Sequence, residues 1–443
     1  MHTPRLIPAL VALAFSGGAF ASGFQLQNQT GSGNGNAFAG AAATAEDAGT
    51  IMWNPAGMTY LPEGHNVALA GTILSRKVDF SNNGSSAAPV THPTFGPIGT
   101  IAPLPSTANG GDAGGVSVVP AFYWAYSLTK DLRIGVGVSP TFGNKTEYDF
   151  DFVGRNAGYF AEMTQININP SIAFKLNEKL SLGFGIDIAH NETHFRQGYP
   201  VTAAPGPLGV LNSPNNFADI KGDDWAVGYN LGALYQLSPS TKIALTYRSE
   251  IKFDLEGKYD VNASVPAAGF LDQDIKATLK TPSNVSLAVS QKLNDKWEML
   301  GDLTWTRWSV INDLVLQNKA TNATVATLSY NFKDTLRLGL GANYQYNDAL
   351  KVRFGVAYDQ APVKSAADRT MTLPDSDRTW LSIGAKYSFD KKASVDVGYS
   401  HIFFRDATTT REVRSSSLGL LQTVRGSWDN SVDILSVQYN RNF

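Results

Sequence analysis

Few residues in this chain have types and spacing that could do chemistry. His190-Asn191-Glu192-Thr193-His194 sets two imidazoles around a carboxylate. Its glutamate stands one place off the H-E-x-x-H pattern that puts two zinc ligands on one helical face, and the flanking residues alternate as in a strand. Metal binding is therefore not expected there. Gly31, Gly33 and Gly35 lie in a glycine-rich stretch. No strand precedes them and G-x-G-x-x-G is not met, so no nucleotide cradle is expected. No G-x-S-x-G serine occurs with a partner set. The chain has no cysteine, which removes thiolate nucleophiles, thiolate zinc sites and disulfides together. Nothing here argues for an enzyme, and no cofactor or metal is called for.

Composition narrows the class. Lys+Arg 36 against Asp+Glu 38 gives a net charge of −2, without the basic excess of a nucleic-acid-binding surface. Charged residues make up 17%, well under the roughly 25% of soluble domains. Aromatics reach 11%, yet mean hydropathy is only −0.14. Beyond residue 21 no apolar run approaches the roughly 20 residues of a membrane helix.

Residues 1–21 read as a secretory signal peptide. A short basic start, the apolar stretch Leu6 to Phe20 and the small-x-small site Ala19-Phe20-Ala21 follow one another. Export without disulfides points to a Gram-negative periplasm or outer membrane.

The rest of the chain has a period of two. From Leu336 to Tyr346 every even position is apolar or aromatic and every odd one polar or glycine. Leu182, Phe184 and Ile186 alternate likewise with Ser181, Gly183, Gly185 and Asp187. Successive strand side chains point to opposite faces, so each segment has one apolar face. The pattern predicts 14 strands, at 66–80, 117–129, 132–149, 160–175, 180–197, 222–237, 242–260, 274–292, 296–317, 325–346, 349–361, 376–389, 392–407 and 425–443. Tight turns such as Lys130-Asp131, Asn177-Glu178 and Asn347-Asp348 alternate with long loops, the longest from Ser81 to Val116. Short turns at one end, long loops at the other and an even strand number describe a transmembrane β-barrel. Closure is required, because an open edge would leave backbone groups unpaired in hydrocarbon. Leu435, Val437, Tyr439 and Phe443 give the last strand an apolar row, and Trp225, Trp305, Trp308 and Trp380 suit aromatic girdles.

Residues 22–63 do not follow the strand period. Ala37 to Ala48 is alanine-rich and could be helical, and Asn54-Pro55-Ala56 reads as an N-cap followed by Pro at the first helical position. A barrel of this size has a lumen that such a segment can plug. The expected organisation is thus a signal peptide (1–21), an N-terminal helical hatch (22–63) and an all-β, antiparallel transmembrane barrel (64–443). A plugged barrel makes a poor diffusion porin.

Several stretches carry a resemblance. Ser22-Gly23-Phe24-Gln25-Leu26, Ala45-Glu46-Asp47-Ala48-Gly49 with Asn54-Pro55-Ala56, Ala244 to Glu250, Leu373 to Arg378 with Trp380-Leu381-Ser382, and Ala393 to Gly398 occur in this order along nearly the whole chain. In these it resembles the FadL-type outer-membrane transporters of long-chain fatty acids and other hydrophobic compounds. The resemblance implies a monomeric 14-stranded barrel with a hatch, embedded among outer-membrane lipid and lipopolysaccharide. It implies Phe24 near the ligand, and Asn54, Pro55 and Ala56 as a rigid hatch element at the barrel wall. Arg196 corresponds to an arginine that contacts the ligand carboxylate; a guanidinium fork suits a carboxylate, but a solvated rim arginine is equally open. A second basic contact of the family has no counterpart in Ala326-Thr327-Leu328-Ser329-Tyr330, so neutral aromatic or aliphatic hydrocarbons stand as alternative cargo to fatty acids. On the third strand, Ser139-Pro140-Thr141-Phe142-Gly143 interrupts a clean alternation. Pro140 cannot donate to a ladder and Gly143 accepts unusual backbone angles. The family has an inward kink and a lateral opening on this strand, with Gly143 at a matching position.

Overall fold

The protein is described from a computed structural model covering residues 23–443 apart from 93–95, 101–107, 200, 203–209, 212–214, 263–271 and 416–418. The signal peptide expected at 1–21, Ser22 and part of the Ser81–Val116 loop lie outside the described residues.

Fourteen antiparallel strands close into one barrel. They are β1 (His65–Asn82), β2 (Gly115–Ser127), β3 (Leu132–Glu147), β4 (Phe160–Lys175), β5 (Leu180–Gly198), β6 (Phe217–Ser238) and β7 (Thr241–Arg248 continued by Ile251–Asn262). Then follow β8 (Gln273–Thr281 and Asn284–Lys292), β9 (Trp297–Thr306 and Asp313–Asn318), β10 (Thr324–Ser329 and Thr335–Gln345), β11 (Leu350–Asp359), β12 (Arg378–Ser388), β13 (Ala393–Phe404 and Ala407–Ser415) and β14 (Gly419–Asn442). The sheet closes by pairing β1 with β14 from Asn66↔Asn442 to Asn82↔Gly426. No helix among the described residues is long and apolar enough to cross a membrane; the strands cross it.

The period of two sorts every strand into faces. Phe184, Ile186 and Ile188 on β5, Val227, Tyr229 and Leu231 on β6, and Leu435, Val437 and Tyr439 on β14 are exposed on the outside. Their neighbours Asp187, Asn230, Ser436 and Gln438 are buried in the lumen. Asn169 Nδ2 donates to Asp187 Oδ1 at 2.9 Å and to Asn230 Oδ1 at 2.8 Å, so the interior polar groups satisfy one another. Trp225 and Trp305 face outward, 59% and 37% exposed, as interfacial aromatics. Trp308 and Trp380 do not: both are fully buried. Trp308 lies in the short turn that interrupts β9, and Trp380 is an inward member of β12 beside the outward Leu381 and Ile383, so both indoles fill the lumen instead of a girdle.

The N-terminal segment occupies that lumen as three one-turn helices, α1 (Gly31–Asn34), α2 (Ala41–Thr44) and α3 (Thr50–Trp53), and a 3₁₀ turn at Pro55–Tyr60. Ala37 to Ala48 is not a single helix. Ala37, Phe38, Gly40 and Ala45 adopt φ of 50°, 58°, 66° and 50°: the first two lie between α1 and α2, Gly40 caps the start of α2 and Ala45 its end. A straight helix would not follow the inner wall; the broken path does.

The wall receives the hatch on bare backbone. A Cβ at Gly355 would lie 2.1 Å from the carbonyl carbon of Asn36, and one at Gly183 only 2.2 Å from Ala56 N. Polar ties surround these contacts. Arg353 Nη2 donates to Glu46 Oε2 at 2.7 Å and to Asp396 Oδ1 at 2.8 Å, and Lys351 Nζ reaches Glu46 Oε1 at 2.9 Å. Burial alone would raise the Glu46 carboxyl, but Arg353 and Lys351 outweigh it and hold Glu46 well below the ordinary carboxylate value. Deleting residues 22–63 should leave a barrel that folds and conducts ions in planar bilayers where the intact protein is closed. A folded deletion variant with unchanged conductance would show that this segment is not the plug.

Candidate ligand site in the barrel lumen

An apolar cavity of about 100 Å³ lies in the extracellular half of the lumen. Its walls include Ile220 on β6, Leu255 on β7, Ile275, Ala277 and Leu279 on β8, Leu314 and Leu316 on β9, and Met163 on β4. Phe24 contributes from the hatch side, Leu373 from the β11–β12 loop. Sequence reasoning had only Phe24 of this set. The others are the inward-facing members of their strands, on segments whose alternation was visible but whose convergence was not.

Phe24 is held by three constraints. Gly23 N donates to Asp375 Oδ2 at 2.8 Å. The Phe24 ring meets Phe142 edge-on at 5.9 Å and Trp308 at 5.1 Å. Its carbonyl accepts from Gly143 N at 2.8 Å. The third contact belongs to an irregularity in the wall. β3 pairs with β2 only from Ser127↔Arg133 to Phe122↔Val138, whereas on its other side it follows β4 to Glu147↔Phe160. The β4 register slips between Pro140 and Phe142, leaving Thr141 as an extra residue. Freed from β2, this edge of β3 pairs with the N-terminal segment: Gln25 bridges Phe142, and Leu26 N donates to Thr141 O at 2.9 Å. Ser139, Pro140, Phe142 and Gly143 thus stand together, beside Phe24, where the β2–β3 ladder ends.

Asn54, Pro55 and Ala56 meet the wall at β5 and β6. Asn54 Oδ1 caps the 3₁₀ turn by accepting from Ala56 N at 3.0 Å. Its Nδ2 donates to Ala42 O at 2.9 Å and to Ala233 O of β6 at 3.2 Å. A Cβ on the facing Gly232 would come within 2.0 Å of Asn54 Oδ1.

Arg196 lies at the far end of β5. It shares the outward parity of Ile186 and Ile188 on β5, pairs through Nε with Asp219 Oδ2 at 3.0 Å and lies 5.1 Å above the Phe160 ring. Thr193, His194 and Phe195 border the cavity, and Arg196 is not among its lining residues. His190 and His194 share the parity of Arg196 and pair with the carboxylates of Asp223 and Asp219. Among the described residues no group of metal-binding side chains assembles.

The description "Outer membrane protein transport protein (OMPP1/FadL/TodX)" belongs to a family profile that matches residues 12–443. The chain belongs to this family. It is an outer-membrane transport protein. The long-chain fatty acid transport protein of Salmonella typhi is 30% identical over 433 residues, covering 91% of this chain and 92% of that one. Among solved structures, a FadL homologue of Pseudomonas aeruginosa superposes with TM-score 0.83 at 22% identity, covering 95% and 100% of the two chains. The toluene transporter TbuX of Ralstonia pickettii gives 0.63 at 18% identity, covering 93% and 97%. These two likenesses speak for the fold, a FadL-type barrel.

Two outcomes follow from this geometry. Asn54→Ala removes the cap, the tie to Ala42 within the hatch and the bond to Ala233 of the wall, and should cost about 1 kcal/mol or more in unfolding experiments while raising the open probability in bilayers. The Asp375 carboxyl is pushed up to about 6 by burial, against the opposing pull of Arg378 and Gly23 N. A raised folded value means that its contribution to stability is full below 3.8 and is lost as pH rises through about 6. The melting temperature of Asp375→Asn should therefore gain on wild type across that interval; a constant difference would mean the carboxyl does not titrate there.

Proposed function

We propose that this chain binds long-chain fatty acids arriving at the cell surface and passes them inward through the barrel, with lateral exit into the bilayer, and that residues 1–21 direct its export. The observation that carries this reading is the apolar cavity enclosed above a seated hatch, with Phe24 as the hatch's own contribution to its wall. The fatty acid transport protein of Salmonella typhi supports the cargo class. Moving an apolar chain into water costs about 0.8 kcal/mol per CH₂. The end of the β2–β3 ladder beside Phe24, where hatch residues 24–26 bond β3 in place of β2, offers a route that avoids that cost, and Ser139, Pro140, Phe142 and Gly143 are the residues of that opening. The single closed barrel acts as a monomer, its outer belt facing outer-membrane lipid and lipopolysaccharide.

A second reading is favoured by one specific feature. The cations at the margin of the cavity, Lys221 and Lys276, alternate with the inward-facing Ile220, Ile275 and Ala277 and so belong to the outer face. A cavity without an inward cation suits neutral hydrophobic compounds as well as acids, and the toluene transporter of Ralstonia pickettii shares the fold.

Detergent-solubilised protein should bind oleate saturably, and Phe24→Ala should weaken binding several-fold. Failure of oleate to bind, with tight binding of toluene or a long alkane, would replace the first reading with the second. Arg196→Ala should change affinity for oleate and for oleyl alcohol equally little; a loss confined to oleate would return Arg196 to the site. A disulfide in Ala121→Cys/Ser139→Cys, which faces the register position next beyond Phe122↔Val138, should block transport into vesicles yet preserve binding. Full transport through the stapled wall would remove the lateral route.

A further inference from the structure

Below Phe24 the lumen holds a second chamber that the family resemblance does not assign. It measures about 60 Å³ and differs in chemistry from the cavity above. Gln25, Leu26 and Gln27 form its roof, Met52 and Trp53 its hatch side, and Arg248 and Arg337 stand on its barrel wall. The only other charged residue on its lining is Asp302. Each guanidinium has a carboxylate partner, Arg337 with Asp302 on the lining and Arg248 with Asp187 behind it.

We infer that this chamber is a carboxylate site, one that takes the head group of a long-chain acid. The inference rests on the fatty-acid reading above and supplies what the upper cavity lacks. Three observations converge on it. The upper cavity's margin cations point out of the barrel, whereas Arg248 and Arg337 are inward members of β7 and β10, 12% and 5% exposed at their side chains. Next, the chamber holds N–H groups without partners. Arg337 spends Nη1 on Asp302 at 3.2 Å and Nη2 on the Ala37 carbonyl, but its buried Nε has no acceptor. The buried indole Nε1 of Trp53 has none either. An unpaired buried donor is costly, and a carboxylate placed among them would satisfy it. Finally, the two spaces are neighbours. Phe24 lines the upper one and Gln25 and Leu26 the lower, so a single stretch of hatch backbone separates them.

The remaining partners do not close the site. Arg248 is paired with Asp187, which lies outside the lining, and its Nη2 donates to Met52 O at 2.8 Å. Arg248 thereby ties the hatch to β7 at the spot where a head group would enter. Trp53 packs on Phe38 at 5.4 Å between ring centres and also borders a polar space inside the hatch, lined by Glu46, Asp47 and Arg353. The acids of that space repel a carboxylate, so the head group stops at Trp53 while its apolar chain stays in the cavity above or leaves through the β2–β3 edge.

Calorimetric titration of the full-length folded protein in detergent tests this. Oleate and oleyl alcohol should each fill one site per barrel, oleate at least tenfold more tightly. Arg248→Gln should bring oleate down to the affinity of the alcohol, and Arg248→Lys should restore the difference. Trp53→Phe, which keeps the ring and removes the N–H, should weaken oleate roughly tenfold and leave oleyl alcohol unchanged while the barrel stays closed in bilayers. If Arg248→Gln unseats the hatch, the Trp53→Phe result decides. Equal affinity for the acid and the alcohol, or an oleate isotherm unchanged in both variants, would overturn the inference and leave the fatty-acid reading standing. Absence of any saturable oleate binding would instead remove the fatty-acid reading itself.

Discussion

The structure depends on one constraint: within hydrocarbon every backbone N–H and C=O must find a partner in the protein. Fourteen strands meet it by closing, with β1 and β14 paired along seventeen registered positions. The edge of β3 beyond Val138 is the place where β2 no longer supplies the partner. Here the chain substitutes its own N-terminus, and residues 24–26 bond to Thr141, Phe142 and Gly143 in the manner of a short strand. One segment therefore serves as patch for the wall, as part of the cavity lining and as the first part of the hatch. A ligand that displaces Phe24 disturbs all three together, which couples cavity occupancy to the wall by contact alone.

The lumen answers a different demand. Inward residues are polar, and a buried charge is costly unless paired and hydrogen-bonded. Arg353 shares Glu46 of the hatch and Asp396 of β13, and Arg337 shares Asp302 and the Ala37 carbonyl. In each case hatch and barrel complete one another's networks, so pulling the hatch away would leave a guanidinium with lost partners. Glycines at Gly183, Gly232 and Gly355 let the two backbones approach closely enough for this. Seating is thus specified by charge and by space at the same positions.

Much of the fold was legible in the residues. Alternation such as Leu336 to Tyr346 marks a strand because side chains alternate by geometry, and tight turns at Asn177-Glu178 or Asn347-Asp348 mark one end. Asn54-Pro55-Ala56 announced a capped turn and forms one. The errors have physical causes too. Trp308 and Trp380 look like girdle residues by their nearness to strand ends, but Trp308 lies in the turn that interrupts β9, and Trp380 alternates with the outward Leu381 and Ile383, so its parity sends it inward. Ala37 to Ala48 has helical propensity that the curved inner wall overrides. Arg248 lay within Ala244 to Glu250, a stretch noticed for its resemblance alone; its role depends on Met52 and Asp187, far away in sequence.

Head group and tail ask opposite things of one channel. A saturated chain is held by apolar area alone, which the upper cavity supplies without any directional bond. A carboxylate in the same place would lose its water and gain no donor, a penalty of several kcal/mol. A barrel that offered only the upper cavity would therefore favour neutral cargo or bind acids protonated. Placing guanidiniums and an unpaired indole N–H one backbone layer deeper resolves the conflict in space. The acid end moves down to its donors as the tail remains among Ile220, Leu255 and Ile275, next to the edge of β3. Because Arg248 and Arg337 also hold the Met52 and Ala37 carbonyls of the hatch, a bound carboxylate competes with those carbonyls for the same donors. Cargo with a negative head group then loosens the hatch and neutral cargo does not, so the cavity selects for apolar length and the chamber beneath it for charge.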